Sequence, residues 1–310
     1  MSWVSTPRLL NRKHIADLLK FDPLWLIRKE GERYEKEVND IAKRLATASG
    51  RCLVLLSGPS ASGKTTTAFK IEERLRLLGR ESCTVSLDNF YRGYGKAPQL
   101  PDGSYDYESV EALDLPLLET CMQELLRNGE TQLPVFDFVT HSPKEERVPL
   151  HVAEESVVIF EGIHALNPRL RQHLPEQNLF KIFINVMSSI SDDGCELLSE
   201  RDLRLVRRLL RDIRFRNSSI ENTMDMWRQV VRGEDLYLFP YAHTADVSFD
   251  TTQAFEPAML GVQLLPLLSE VSEKSPYAET VVRLIDALSK FDPLEERLLP
   301  SASLLKEFVG

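Results

Sequence analysis

The stretch Gly58-Pro-Ser-Ala-Ser-Gly-Lys-Thr65 constrains this chain more than any other feature. It fits the pattern of Gly, four residues, then Gly-Lys-Ser/Thr. The apolar run 52–56 precedes it and a helical pattern follows over about 64–78, which is the context the pattern needs. A strand that ends in such a turn and re-enters as a helix points backbone N–H groups inward around phosphate oxygens. The helix N-terminus adds the positive end of its dipole. On this reading Gly58, Ser60, Ala61, Ser62, Gly63, Lys64, Thr65 and Thr66 hold the phosphates of ATP. Lys64 reaches the β- and γ-phosphates, and Thr65 offers its hydroxyl to Mg²⁺.

Short apolar runs at 83–87, 157–160, 180–186 and 245–249 alternate with helical patterns at 111–127 and 197–215. That alternation predicts an α/β fold, a P-loop NTPase-type parallel sheet wrapped by helices. Helical patterns also flank it. Over 12–48, Ile15, Leu18 and Leu19 and then Val38, Ile41 and Leu45 recur at helical spacing, while Asp22-Pro23 marks a second helix start. After Asp250 the chain reads helical again, with Pro276 separating two amphipathic stretches. The expected layout is an N-terminal helical extension over 1–50, a catalytic domain with an arginine-bearing lid over 51–250, and a C-terminal helical extension over 251–310. The pentapeptide Lys-Phe-Asp-Pro-Leu occurs at 20–24 and again at 290–294, and reads as a shared helix start.

Phosphoryl transfer needs carboxylates as well as a phosphate cradle. Asp88 and Glu161 stand at the C-terminal ends of two expected strands, where open α/β sheets form their ligand crevices. Asp88 is the candidate general base and a metal-side carboxylate; Glu161 is the second. Each could instead cap the next helix.

With 38 basic against 47 acidic side chains the net charge is −9, which disfavours a broad nucleic-acid surface. Yet seven arginines crowd 201–216, and Arg204, Arg208 and Arg211 share one helical face while Leu203, Val206 and Leu210 fall on another. A solvated face or surface pairs with Glu200 and Asp202 would explain them. The functional reading is a lid whose guanidinium forks neutralise the transferring phosphoryl group. The cysteines Cys52, Cys83, Cys121 and Cys195 form no CxxC pair and read as buried free thiols. No apolar run approaches the ~20 residues of a membrane span, and Arg8, Arg12 and Lys13 interrupt any secretory leader, so cytoplasmic residence is expected.

In order and spacing, the phosphate loop, Leu87-Asp-Asn-Phe-Tyr-Arg92, Tyr105-Asp-Tyr-Glu108, Pro134-Val-Phe-Asp-Phe-Val-Thr-His141, Val158-Ile-Phe-Glu-Gly162 and Arg207-Arg-Leu-Leu-Arg-Asp-Ile213 resemble the uridine–cytidine kinases of the phosphoribulokinase/uridine kinase family. The resemblance covers about 51–250. It implies transfer of the γ-phosphoryl of ATP to the 5′-hydroxyl of a pyrimidine nucleoside, with Asp88 as base and Lys64, Arg208 and Arg211 stabilising the moving group. It further implies an acceptor site with Tyr91, Glu108 at the ribose hydroxyls and His141 at the base, and with Arg208 and Arg216 near the transferring phosphate. Phe136 stands where the family has a base-reading tyrosine, while Ser218 and Pro143 replace arginines. Two alternatives stay open: another small alcohol or sugar as acceptor, and a nucleotide-sensing module without transferase activity. The tail Leu304, Leu305, Phe308 and Val309 reads as a core-packing helix end, or else as a contact in a homo-oligomer.

Overall fold

The computed structural model describes residues 3–310. Helices α1 (Arg12–Phe21) and α2 (Pro23–Ala46) lead into strand β1 (Cys52–Ser57), α3 (Lys64–Leu77) and β2 (Ser82–Ser86). Then come α4 (Leu115–Asn128), a hairpin of β3 (Glu130–Asp137) and β4 (Ser142–His151), and the strands β5 (Val157–Glu161) and β6 (Leu179–Asn185). Helices α5 (Glu200–Arg216) and α6 (Ile220–Tyr237), strand β7 (Val247–Asp250), and α7 (Glu256–Ser269) and α8 (Ala278–Leu288) follow, before a last helical turn at Lys306–Val309.

The main sheet has six strands, in the order Trp3–Val4, β7, β6, β1, β5, β2. Every neighbouring pair in it is parallel. Strands covered on both faces read as unbroken apolar runs, and all six residues of β1 are buried. Their side chains alternate between faces. Leu53 and Leu55 pack with Leu118, Met122 and Leu125 of α4, while Val54 and Leu56 pack with Ile71 and Leu75 of α3 and Val38 and Ile41 of α2. Asp22 caps α2 by accepting the Trp25 N–H at 2.9 Å, with Pro23 in the first turn. A third core joins both ends of the chain: Ile15 and Leu26 meet Leu209, Leu264, Leu284 and Phe308.

Three features differ from the sequence reading. The hairpin was not expected, because β4 is almost wholly exposed and carries no apolar alternation. The pentapeptide at 290–294 starts no helix: Leu294 N–H bonds to Ala258 O at 3.1 Å, and Phe291 and Leu294 are buried, so tertiary contacts set its backbone. All four cysteines are free, but Cys195 is exposed and Cys83 half-buried. No helix among the described residues is long and apolar enough to cross a membrane.

Candidate active site

Register fixes the site. Leu56 on β1 pairs with Glu161 on β5, and Ser86 on β2 pairs with the same Glu161, so three strands end side by side at one edge. The phosphate loop leaves β1 there. Its turn uses left-handed backbone at Ala61 (φ 60°) and at Gly63 (φ 90°). Gly63 is the N-cap of α3 and supplies no side-chain cap, so the first amides of that helix, which have no partner within a helix, open onto the cleft.

The loop's carbonyls are turned away and held. Arg204 Nη1 donates to Ser60 O at 3.1 Å, Arg207 Nη1 to Ala61 O at 3.3 Å, and Thr251 Oγ1 to Ser62 O at 2.8 Å. Both arginines are clamped in turn. Arg204 forms a two-pronged pair with Glu234 at 2.7 and 2.9 Å, and Arg207 another with Glu256 at 2.5 and 3.1 Å, all four side chains buried. Glu234 Oε1 also accepts the Ser60 N–H at 2.9 Å. Helix α5 is therefore a wall of the site, locked to the loop it faces.

The next turn of α5 faces the opening. Arg208 Nη1 donates to Ser60 Oγ at 2.7 Å. Asp212, fully buried, sits between Arg208, Arg211 and Arg216 at 3.3, 2.9 and 3.5 Å. One carboxylate against three guanidinium groups leaves positive charge directed at the cleft. Burial lowers the Arg208 pKa, opposed by Asp212 and reinforced by Arg211 and Arg216; Arg216 itself is largely exposed at the mouth.

Asp88 approaches from the sheet side on a 3₁₀ turn, Leu87–Phe90, anchored by the buried Leu87 and Phe90. Its carboxylate is open to the cleft yet ringed by protein, and this enclosure pushes its pKa up against the opposing pull of Lys64. Burial raises Glu161 as well. Lys64 donates from Nζ to Pro59 O at 2.9 Å; burial lowers its pKa, and Glu161, Asp88 and Glu307 offset that. Glu108 lies against Gly233 of α6, where a Cβ would come within 2.4 Å of its own Cβ, so only glycine admits it. Burial lifts the Glu108 carboxyl to about 7.

Ser60, Ala61, Gly63, Lys64, Thr65, Asp88, Tyr91, Glu108, Glu161, Arg208, Arg211 and Arg216 all line one cleft of about 280 Å³. Gly58 and Ser62 lie behind it, and the half-buried Thr66 stands beside it with its hydroxyl on Glu307 of the lining. Gly58 packs so closely that a Cβ would sit 2.3 Å from Ile184 O, and Ser62 is fully buried. Phe136 and His141 line a neighbouring cavity of about 370 Å³ with Tyr94, Tyr107 and Phe138. Tyr91 borders both spaces, its ring 6.0 Å from that of Phe136. Ser218 and Pro143 border neither.

Sequence reasoning missed four acids. Glu234, Glu256 and Asp212 orient the arginines, and Asp212 stood inside the Arg-Arg-x-x-Arg-Asp element without being singled out. Glu307, from the tail, lines the cleft and accepts the Thr66 hydroxyl proton at 2.6 Å.

Residues 53–256 match the phosphoribulokinase / uridine kinase family. Uridine-cytidine kinase B of Dictyostelium discoideum is 31% identical over 196 residues, covering 63% of this chain and 72% of that protein. The uridine kinase of Lactobacillus helveticus is 28% identical over 181 residues, covering 58% and 76%. A solved structure described as a possible uridine kinase from Bacillus stearothermophilus aligns at a TM-score of 0.46 and 17% identity, over 69% of this chain and 98% of that one.

Proposed function

The chain belongs to the phosphoribulokinase/uridine kinase family, and on that premise we propose that it moves the γ-phosphoryl group of ATP to the 5′-hydroxyl of uridine or cytidine. The observation that carries this reading is that Asp88, Lys64 and Arg208 share one cleft with Tyr91, whose ring also walls the aromatic cavity. An acceptor seated there would present its hydroxyl between Asp88 and the phosphate loop.

In this mechanism the amides at the start of α3 and the side chain of Lys64 seat the phosphates. Asp88 takes the proton of the acceptor hydroxyl, the hydroxyl oxygen bonds to the γ-phosphorus, and the bond to the β–γ bridging oxygen breaks, leaving its electron pair on ADP. Lys64, Arg208 and Arg211 offset charge on the equatorial oxygens of the moving group. Arg216 adds a further positive charge at the mouth. Glu108, when ionised, accepts hydrogen bonds from the ribose hydroxyls.

Thr65, Asp88 and Glu161 line the phosphate side of the cleft with oxygen donors alone. Such a set suits Mg²⁺, which binds through one or two carboxylates and completes its shell with water and phosphate oxygens. When bound, the ion would neutralise charge on the β- and γ-phosphates.

A second reading, another small alcohol as acceptor, draws on Phe136 and Phe138, which wall the cavity with rings at 5.1 Å and offer no hydrogen-bonding edge. The two are separated by incubating the protein with ATP, Mg²⁺ and a panel of nucleosides, sugars and hydroxy acids, with mass detection of products. Uridine or cytidine monophosphate supports the first. A phosphorylated sugar or hydroxy acid with every nucleoside untouched supports the second. ATP binding without any product would leave a nucleotide sensor.

A further inference from the structure

Thr66 has a single hydroxyl proton, and it points to Glu307 Oε2 at 2.6 Å. Glu307 stands on the last helical turn, Lys306–Val309, and faces the same cleft as Lys64, Thr65 and Glu161. A carboxylate from the end of the chain thus sits at the start of the phosphate-loop helix, where polyanion binding calls for positive charge.

The tail that carries it is a fixed part of the wall. Leu304, Leu305, Phe308 and Val309 are each no more than 2% exposed. Leu304 presses on Gly63 so tightly that a Cβ there would lie 2.5 Å from its Cδ1. The Phe308 ring lies 5.2 Å beneath the guanidinium of Arg207, which Glu256 already holds. Releasing the tail would return four apolar side chains to water, so the carboxylate stays in the cleft when a nucleotide enters.

Resting on the reading of this loop as an ATP site, we propose that Glu307 is a specificity-determining residue: a fixed carboxylate that rejects nucleotide whose phosphates carry no cation and admits the cation complex. Two effects act together. A phosphate oxygen has no proton to offer, so it competes with Glu307 for the Thr66 hydroxyl. The negative charge of Glu307 also repels a bare triphosphate, and a divalent cation on the phosphates cancels much of that repulsion.

The test is calorimetric titration of ATP into the full-length protein, once with excess Mg²⁺ and once with EDTA. Glu307→Gln keeps the shape and an oxygen that can accept from Thr66 but removes the charge; Glu307→Ala removes both. Both variants should bind metal-free ATP ~10-fold more tightly than wild type, while the affinity for Mg²⁺-ATP shifts by less than ~3-fold. A melting temperature within ~3 °C of wild type for each variant shows that the tail remains seated, since losing its buried side chains would lower it further. Wild-type protein that binds Mg²⁺-ATP, with variants whose ratio of metal-free to Mg²⁺ affinity is unchanged, overturns the role of Glu307 alone. Wild-type protein that binds ATP in neither buffer overturns the ATP-site reading and this proposal together.

Discussion

Glu234→Gln is the substitution that most sharply separates the scaffold of this site from its chemistry. Glu234 and Arg204 have side chains only 1% exposed and meet through two hydrogen bonds of 2.7 and 2.9 Å. The amide keeps one oxygen for the Ser60 N–H but turns an NH₂ toward a guanidinium donor, leaving Arg204 buried with an unmatched charge. Breaking one side of a buried pair costs about 3–5 kcal/mol, a large share of the ~5–15 kcal/mol that holds a typical domain folded. Removing both partners should behave differently. Arg204→Met with Glu234→Leu leaves no stranded charge, so stability should return to within ~1 kcal/mol of wild type or exceed it. ATP affinity should not return, because the Ser60 amide has lost its acceptor and the Ser60 carbonyl its donor. Urea unfolding followed by circular dichroism gives the first quantity and ATP titration the second. A Glu234→Gln protein within ~1 kcal/mol of wild type, or a double variant with full ATP affinity, would refute the idea that this pair sets the loop.

Four further outcomes follow from the same geometry. With Glu108 lifted to about 7 by burial, its ionised form gains population as pH rises through that value, so the acceptor KM should fall over this range and the trend should vanish in Glu108→Gln. The stability effect has the opposite sense: a carboxyl raised above its usual 4.5 favours the folded state when protonated, so stability should decline between about pH 4.5 and 7, and Glu108→Gln should flatten that slope in pH-dependent urea melts. Phe136→Tyr supplies a hydroxyl to the aromatic cavity, and uridine kcat/KM should rise about fivefold, the worth of one hydrogen bond of ~1 kcal/mol; no change would detach that cavity from nucleoside binding. Phe308→Ala should cost ~3–5 kcal/mol in urea unfolding, since the ring is fully buried, and a loss under ~1 kcal/mol would mean that the tail is not part of the core.

Local chemistry made much of this legible in the sequence. The buried strands β1, β5 and β6 showed as apolar runs because helices cover both their faces, and the phosphate loop is a contiguous motif. Asp22-Pro23 announced α2 through its own capping hydrogen bond. Asp88 and Glu161 stood out as candidates because the ends of parallel strands are where such residues gather, and both line the cleft. What stayed hidden depends on partners distant in sequence. Arg204 and Arg208 looked alike on one helical face, yet one is sealed against Glu234 and the other reaches Ser60 Oγ. Strand β4 pairs through its backbone while its side chains stay exposed, so no periodic pattern marks it. The tail read correctly as apolar packing, but nothing in Leu304-Leu-Lys-Glu-Phe-Val309 says that its acid falls beside Thr66, 241 residues earlier.

Single-turnover chemical quench with ATP, Mg²⁺ and uridine, run on wild type and Asp88→Asn side by side, bears most directly on the assignment of the cleft. Wild type should form uridine 5′-monophosphate. Asp88→Asn should do so ~10²–10⁴-fold more slowly, the usual contribution of a general base, with ATP affinity within a few-fold of wild type. An Asp88→Asn protein that forms product at a rate within ~3-fold of wild type would contradict the role given to Asp88, and the arrangement of the site around it.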